Sequence, residues 1–229
     1  MKRVFLTAFD NKESEVARYL ELNEFETCTF STFNAFKNAV DNDAPDLVII
    51  DEVFDNHSGY KLLKELKASS SIPVIFLGRS SSESDRILSF ELGADDYLII
   101  PFSQKELVLR IKAILRRTDN QLREELPSVS FSLGSDKLEV DLGSHRLSLN
   151  GNKILLTSAE WRILTLLCLN AGAIVSRRQI MEKCFDYASE SYDRVVDTHI
   201  KNIRFKLGPN GKEWVETIRG YGYRFHSGK

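Results

Sequence analysis

Through the first half of the chain, short unbroken apolar runs alternate with stretches of helical spacing. Val4 to Thr7 is such a run, and from Lys12 to Leu22 the residues Val16, Tyr19 and Leu20 fall on one helical face. Phe25 to Phe30 then predicts a strand, Phe33, Phe36, Ala39 and Val40 mark a helix face, and Leu47-Val48-Ile49-Ile50 predicts a strand with no polar alternation. A continuous β-branched run of this kind is buried on both sides, as in a parallel sheet. Helix Tyr60–Lys67, strand Pro73–Leu77, helix Glu83–Leu92, strand Tyr97–Ile100 and helix Lys105–Arg117 follow. Five βα units predict an α/β doubly wound domain. Its last helix opens with the capping-box spacing Ser103-x-x-Glu106 and carries Leu107, Val108, Ile111, Ile114 and Leu115 on one face.

Periodicity stops over residues 118–128, which read as a linker between domains at 1–117 and 129–229. Beyond it Val129 to Phe131, Leu138 to Asp141 and Arg146 to Leu149 predict strands, and Asn150-Gly151 turns the last into Lys153-Ile154-Leu155. Thr157-x-x-Glu160 begins a helix through Trp161, Ile163, Leu164, Leu167 and Cys168, and Ser176 caps another through Ile180, Met181 and Cys184. A third carries Val196, Ile200, Ile203 and Leu207 on one face. Arg194, Thr198, Lys201, Asn202 and Phe205 lie opposite, with His199 and Arg204 on the flanks. After Gly208-Pro209-Asn210-Gly211, Trp214 to Ile218 and Tyr223 to Phe225 predict strands joined through Arg219-Gly220-Tyr221-Gly222. Three helices, a sheet and a terminal hairpin with an Arg near its tip predict an α+β winged helix-turn-helix domain.

Charge sharpens this picture. Residues 1–120 hold 15 basic and 20 acidic side chains, residues 121–229 hold 16 and 13, and the last 38 residues alone hold 8 and 4. A basic end on an acidic protein points to a polyanion, and with a winged helix the expected partner is double-stranded DNA. Asn202 suits a bidentate contact with adenine and Thr198 a thymine methyl, while Arg194, Lys201 and Arg204 suit phosphate or guanine. Arg219 at the hairpin tip suits a narrow minor groove. No apolar run approaches a membrane span and the N-terminus lacks a signal peptide's apolar stretch, so a soluble, cytoplasmic protein is expected. Cys28, Cys168 and Cys184 are odd in number and lack metal-ligand spacing, and read as reduced core thiols. No enzymatic activity, metal or cofactor is expected.

Pro45-Asp46-Leu47-Val48-Ile49-Ile50-Asp51, then Gly59, Gly93-Ala94-Asp95-Asp96-Tyr97 and Pro101-Phe102, resemble the receiver domain of bacterial response regulators. The second half resembles the effector domain of the OmpR/PhoB subfamily. There Val195 to Ile200 and Thr217 to Phe225 are similar to the recognition helix and wing, which adds His199, Thr217 and Tyr223 to the DNA-contacting set. The resemblance implies a phosphoacceptor at Asp51, and it places residues 186–193 where the family touches RNA polymerase. Supporting chemistry departs from the pattern: the family's metal-binding acids fall on Ala8 and Phe9, its Thr or Ser on Gly78, and its Lys on Ile100. Phosphoryl transfer to a carboxylate needs a cation between two anions, so the expectation is a degenerate site. Asp51 would be a poorly solvated, neutral-leaning carboxyl that caps a nearby backbone N–H.

Active receivers of the family pair through the fourth helix, fifth strand and fifth helix. The charges at those positions match here as Arg86 with Glu106 and Asp96 with Arg110, with Asp95 and Lys112 nearby. The expected function is a sequence-specific transcriptional regulator acting as a phosphorylation-independent homodimer. The alternative is a conventional two-component regulator, phosphorylated on Asp51 by a histidine kinase, with Asp10 helping to hold magnesium. Phe205 stands where the family is mostly basic.

Overall fold

The unbroken apolar runs end up where their lack of alternation requires, in strands covered on both faces. The computed structural model describes residues 1–8, 13–55, 57–118, 128–185 and 193–228, and divides into two units, Met1–Asp119 and Asn120–Lys229.

In the first unit β1 (Lys2–Thr7), α1 (Glu13–Glu21), β2 (Phe25–Phe30), α2 (Phe33–Asn42) and β3 (Leu47–Asp51) come first. A minimal hairpin, β4 (Val53–Phe54) and β5 (His57–Ser58), leads to α3 (Gly59–Ser69), β6 (Val74–Gly78), α4 (Glu83–Glu91), β7 (Asp96–Ile99) and α5 (Gln104–Thr118). Five strands pair in parallel in the order β2-β1-β3-β6-β7. Every residue of β3 and β6 is buried. The strand order reverses between β1 and β3, and in such sheets the crevice for a ligand opens beyond the carboxyl ends of those strands. Asp51, the last residue of β3, sits there. The apolar stripe of α5 (Leu107, Val108, Ile111, Ile114 and Leu115) joins Val4, Leu6, Leu47, Ile49, Ile75 and Leu77 in one core.

A buried ion pair crosses this unit. The Lys67 ammonium on α3 donates to Asp95 Oδ2 at 2.9 Å and to the Ile72 carbonyl at 2.6 Å, and the same carboxylate oxygen accepts the Val74 N–H at 3.0 Å. The two side chains are 3% and 0% exposed. Asp95, expected on the dimer face, is therefore an interior group that fixes α3 to the start of β6.

The second unit opens with an antiparallel sheet of β8 (Ser128–Leu133), β9 (Asp136–Asp141), β10 (Arg146–Leu149) and β11 (Asn152–Ile154), in the order β11-β10-β9-β8. Asn150 and Gly151, at φ 53° and 80°, supply the two left-handed residues that a two-residue hairpin needs. Next come α6 (Ser158–Leu169), β12 (Ile174–Val175), α7 (Arg177–Cys184), α8 (Asp193–Lys206), α9 (Gly211–Trp214), β13 (Val215–Ile218) and β14 (Gly222–Phe225). Reciprocal capping boxes start α6, from Thr157 and Glu160, and α7, from Ser176 and Gln179.

Two elements of the second unit differ from the sequence expectation, as does the short β4–β5 hairpin of the first. Trp214 closes a one-turn helix instead of opening a strand. Gly211 packs so tightly that a Cβ would stand 2.0 Å from the Arg204 carbonyl, and this contact turns the chain back under α8. Trp214 is thereby buried and stacks on Phe225 at 6.0 Å. The second difference is β12, a two-residue strand that pairs with β14 and is too short to leave a pattern.

Among the described residues no helix is long and apolar enough to cross a membrane, and no His, Cys, Asp and Glu side chains cluster to hold a metal. The three cysteines are free thiols; burial pushes the Cys168 thiol well above its ordinary range.

Candidate functional site

The crevice of the first unit is built around Asp51. The carboxylate is fully buried, Oδ1 accepts the Val53 N–H at 2.7 Å, and Asp51's own N–H donates to Thr7 Oγ1 at 2.8 Å. The expected contact with a neighbouring backbone N–H is present. The expected neutral surroundings are not, because Arg79, immediately after β6, lays one guanidinium nitrogen 3.2 and 3.3 Å from the two carboxylate oxygens. The sequence reading passed over Arg79, although a cation directly following the strand beside β3 is within reach of the acid at that strand's end. Its backbone N–H donates to Glu52 Oε2 at 2.8 Å, which ties the two strand ends together.

Gly78 matters through the space it leaves. Tyr97 fills it, and a Cβ at Gly78 would lie 1.9 Å from the tyrosine hydroxyl. That hydroxyl donates to the Ser80 carbonyl at 2.9 Å, the ring stacks over Phe76 at 6.2 Å, and burial holds the phenol above its ordinary pKa. Ala8 offers no ligand atom from its side chain, and Ile100 packs against the core. Phe9 and Asp10 lie outside the described residues.

On the α4, β7 and α5 elements the charges are used within the chain. Arg110 Nη1 donates to both Asp96 oxygens at 3.0 and 3.1 Å, and its Nε donates to Glu106 Oε1 at 2.9 Å. Glu106 thus answers Arg110 one turn along its own helix. Arg86 is partly buried and Lys112 is exposed. The same three elements expose Leu88, Ile99 and Leu109.

In the second unit the sealed face of α8 is the expected Val196, Ile200, Ile203 and Leu207. Outward positions are Arg194, Asp197, Lys201 and Phe205 at spacings of three, four and four, which makes one ridge along the helix. Asn202 flanks it, half-buried. Several residues expected to face DNA lie elsewhere. Thr198 is only 7% exposed and His199 is completely buried against Phe185, with ring centroids 5.6 Å apart. Burial within the unit, for His199 against the residue that follows α7, claims positions of α8 that ideal winding assigned to the ligand.

Arg204 turns to the wing: Nε donates to the Val215 carbonyl at 2.8 Å and Nη2 to Thr217 Oγ1 at 2.8 Å. Burial lowers its pKa, and its guanidinium is committed to holding the strand rather than reaching a base. Tyr223 is buried; its hydroxyl donates to Asp197 Oδ1 at 2.5 Å, and the same oxygen accepts from Arg177 Nε at 2.6 Å. The Arg177 guanidinium lies 4.9 Å from the Tyr223 ring centre and that of Arg204 5.6 Å. Desolvation first and the Asp197 hydrogen bond second push the Tyr223 hydroxyl up to about 12.

Arg177, Asp197, Tyr223 and Arg204 therefore link α7, α8 and both wing strands. The sequence held a sign of this: an acid in the exposed row of a basic helix needs a cation of its own. Arg219 stands exposed at the wing tip, and so does Tyr221, which the sequence reading did not single out.

Arg194, Lys201, Phe205 and Arg219 thus form the outward surface, with Thr217 exposed and Asn202 at its margin. Lys201→Ala is expected to weaken binding to all duplexes alike and to lower the slope of log K against log salt by about one. Titration at several salt concentrations on two unrelated duplexes checks this, and a loss confined to one sequence would assign Lys201 to base reading. Residues 186–192, in the proposed polymerase-contacting segment, and 119–127, in the linker, lie outside the described residues.

Residues 10–112 match the family described as response regulator receiver domain, and residues 151–225 match transcriptional regulatory protein, C terminal. The chain is 35% identical over 228 residues to the transcriptional regulatory protein CpxR of Escherichia coli (strain K12), covering 97% of each. It is 38% identical over 187 residues to the probable transcriptional regulator ycf27 of Cyanophora paradoxa, covering 80% of this chain and 78% of that one. Among solved structures, the response regulator DrrB of Thermotoga maritima, an OmpR/PhoB homologue, aligns over 99% of both chains with 30% identity and a TM-score of 0.51. A RitR mutant aligns over 99% of both with a TM-score of 0.79 at 20% identity, a likeness of fold. With a receiver fold in its first half, a winged helix in its second and a relative matched over 97% of both chains, the chain belongs to the OmpR/PhoB family of response regulators, DNA-binding transcriptional regulators rather than enzymes.

Proposed function

We propose that this regulator binds its operators as a homodimer without a phosphoryl switch, its receiver serving as the dimerisation module. The observation that carries the reading is Arg79 against Asp51. A side-chain cation already stands where a phosphorylatable carboxylate would need a metal ion. The described residues around the crevice do not fit magnesium, since Ala8 offers no side-chain ligand and the Asp51 oxygens face a guanidinium.

Tyr97 supports the same reading: with no side chain at Gly78, the ring occupies that space without any modification of Asp51. For the dimer, the support is the α4, β7 and α5 face, where Arg86, Asp96, Glu106, Arg110 and Lys112 accompany the exposed Leu88, Ile99 and Leu109. Exchange of the Arg110 partners between copies would add little affinity by itself, since Arg110 already pairs with Asp96 and Glu106 within its own chain. The apolar residues would carry the association.

The test is incubation of the full chain with magnesium and acetyl phosphate, and separately with beryllofluoride, followed by intact mass and sedimentation. The expected result is no acyl phosphate and a dimer at micromolar concentration before and after. A stable acyl phosphate, with dimers appearing only once it has formed, would overturn the proposal in favour of the conventional phosphorylated regulator.

A further inference from the structure

Among the described residues of the second unit Phe205 is the most exposed large apolar side chain, at 86%, in the last turn of the helix that carries the outward ridge. A solvated phenylalanine gains nothing for the fold, and three features of its surroundings narrow what can cover it. It continues the row of Arg194, Asp197 and Lys201, in which Asp197 already accepts from Arg177 and Tyr223, so what contacts the ring also meets the row's cations, Lys201 one turn away and Arg194 further along. The remaining faces of α8 are taken, one by the core and one by the Arg204 link to the wing. The ring does not fold over the following loop, a position that would have buried it.

At 1.5 Å per residue, the eleven steps from Arg194 to Phe205 place the ring about 16 Å along the helix from the guanidinium-bearing residue, on an element that the major groove admits. An apolar spot bounded by positive charge along such a helix complements a thymine methyl flanked by phosphates, and phenylalanine is among the side chains that make this contact. A protein partner would have to pair acidic groups with both cations around a small apolar patch.

We propose that Phe205 is a specificity-determining residue: it packs on the C5-methyl group of thymine at the edge of each half-site, giving this regulator a thymine preference that a basic residue there would not confer. The proposal rests on α8 entering the major groove, and the test separates the two claims. Full-length protein selects duplexes from a random pool. In the best sequence each thymine is then replaced singly by deoxyuridine, which removes the methyl group and leaves every hydrogen-bonding atom. The expected result is about fourfold weaker binding at one or two positions, the worth of burying one methyl group, with no further loss at those positions for Phe205→Ala.

Phe205→Ala should still bind duplex and should select a pool without the thymine preference there. Because the ring is exposed, this variant is expected to fold as the parent does. An identical deoxyuridine profile in both proteins would overturn the proposal. So would a Phe205→Ala defect limited to cooperative loading of a second copy, which would make the ring a protein contact. If Lys201→Ala and Arg194→Ala also leave DNA binding untouched, it is the groove placement of α8 that fails.

Discussion

Lys67→Met is expected to cost the receiver about 3–5 kcal/mol, because it leaves the Asp95 carboxylate buried without its ammonium. The replacement keeps the volume and removes the ammonium, so the loss measures the stranded Asp95 carboxylate and Ile72 carbonyl and not a cavity. A second substitution, Asp95→Asn, made on top of the first, should recover part of the loss, since a neutral amide still accepts the Val74 N–H. Urea denaturation of the full chain reads this cleanly. Both tryptophans, Trp161 and Trp214, belong to the effector unit. Their fluorescence transition should stay in place while part of the far-ultraviolet circular dichroism signal melts at lower urea. A single variant within 1 kcal/mol of the parent would show that water reaches the pair.

Gly222→Ala is expected to disable the wing. The glycine sits at φ 151°, and a Cβ there would lie 2.2 Å from the Val175 carbonyl oxygen and 2.8 Å from Ser176 Cα. Both obstacles are backbone, so β14 must move off β12. Strain of this kind costs about 1–3 kcal/mol. The larger effect is functional, because Tyr223 is the next residue and its hydroxyl joins Asp197 to the wing. Displacing it separates the wing from α8. Duplex affinity should fall at least about tenfold while the receiver melts unchanged; retention of full affinity would show that the wing contributes no contact.

The fold was legible wherever packing alone decided the pattern. Leu47 to Ile50 read as a doubly covered strand because nothing polar interrupts it, and the Asn150-Gly151 turn and both effector capping boxes announce themselves in a few residues. The failures share one physical cause: a residue's partner was distant in sequence. Arg79 lies 28 residues beyond Asp51, Lys67 lies 28 before Asp95, and Arg177 lies 20 before Asp197. An unperturbed helical wheel placed Thr198 outward. In the folded unit it is buried, and His199 beside it packs on Phe185, just past the end of α7. Of the ridge that faces outward, Arg194, Lys201 and Phe205 were readable from spacing. The inward commitment of Arg204 and Tyr223 was not, because Arg204 holds a strand formed by residues further along and Tyr223 reaches back to Asp197, 26 residues earlier.

The joint made by Arg177, Asp197, Tyr223 and Arg204 leaves the effector little play. A protein with a slack connection would adapt its two reading elements to each target in turn. Here the gauge is fixed, so any mismatch in groove spacing must be absorbed by the nucleic acid. Preferred targets should then be those that deform cheaply, such as sites with flexible pyrimidine–purine steps between the two contacts, and electrophoretic bending assays should find them curved.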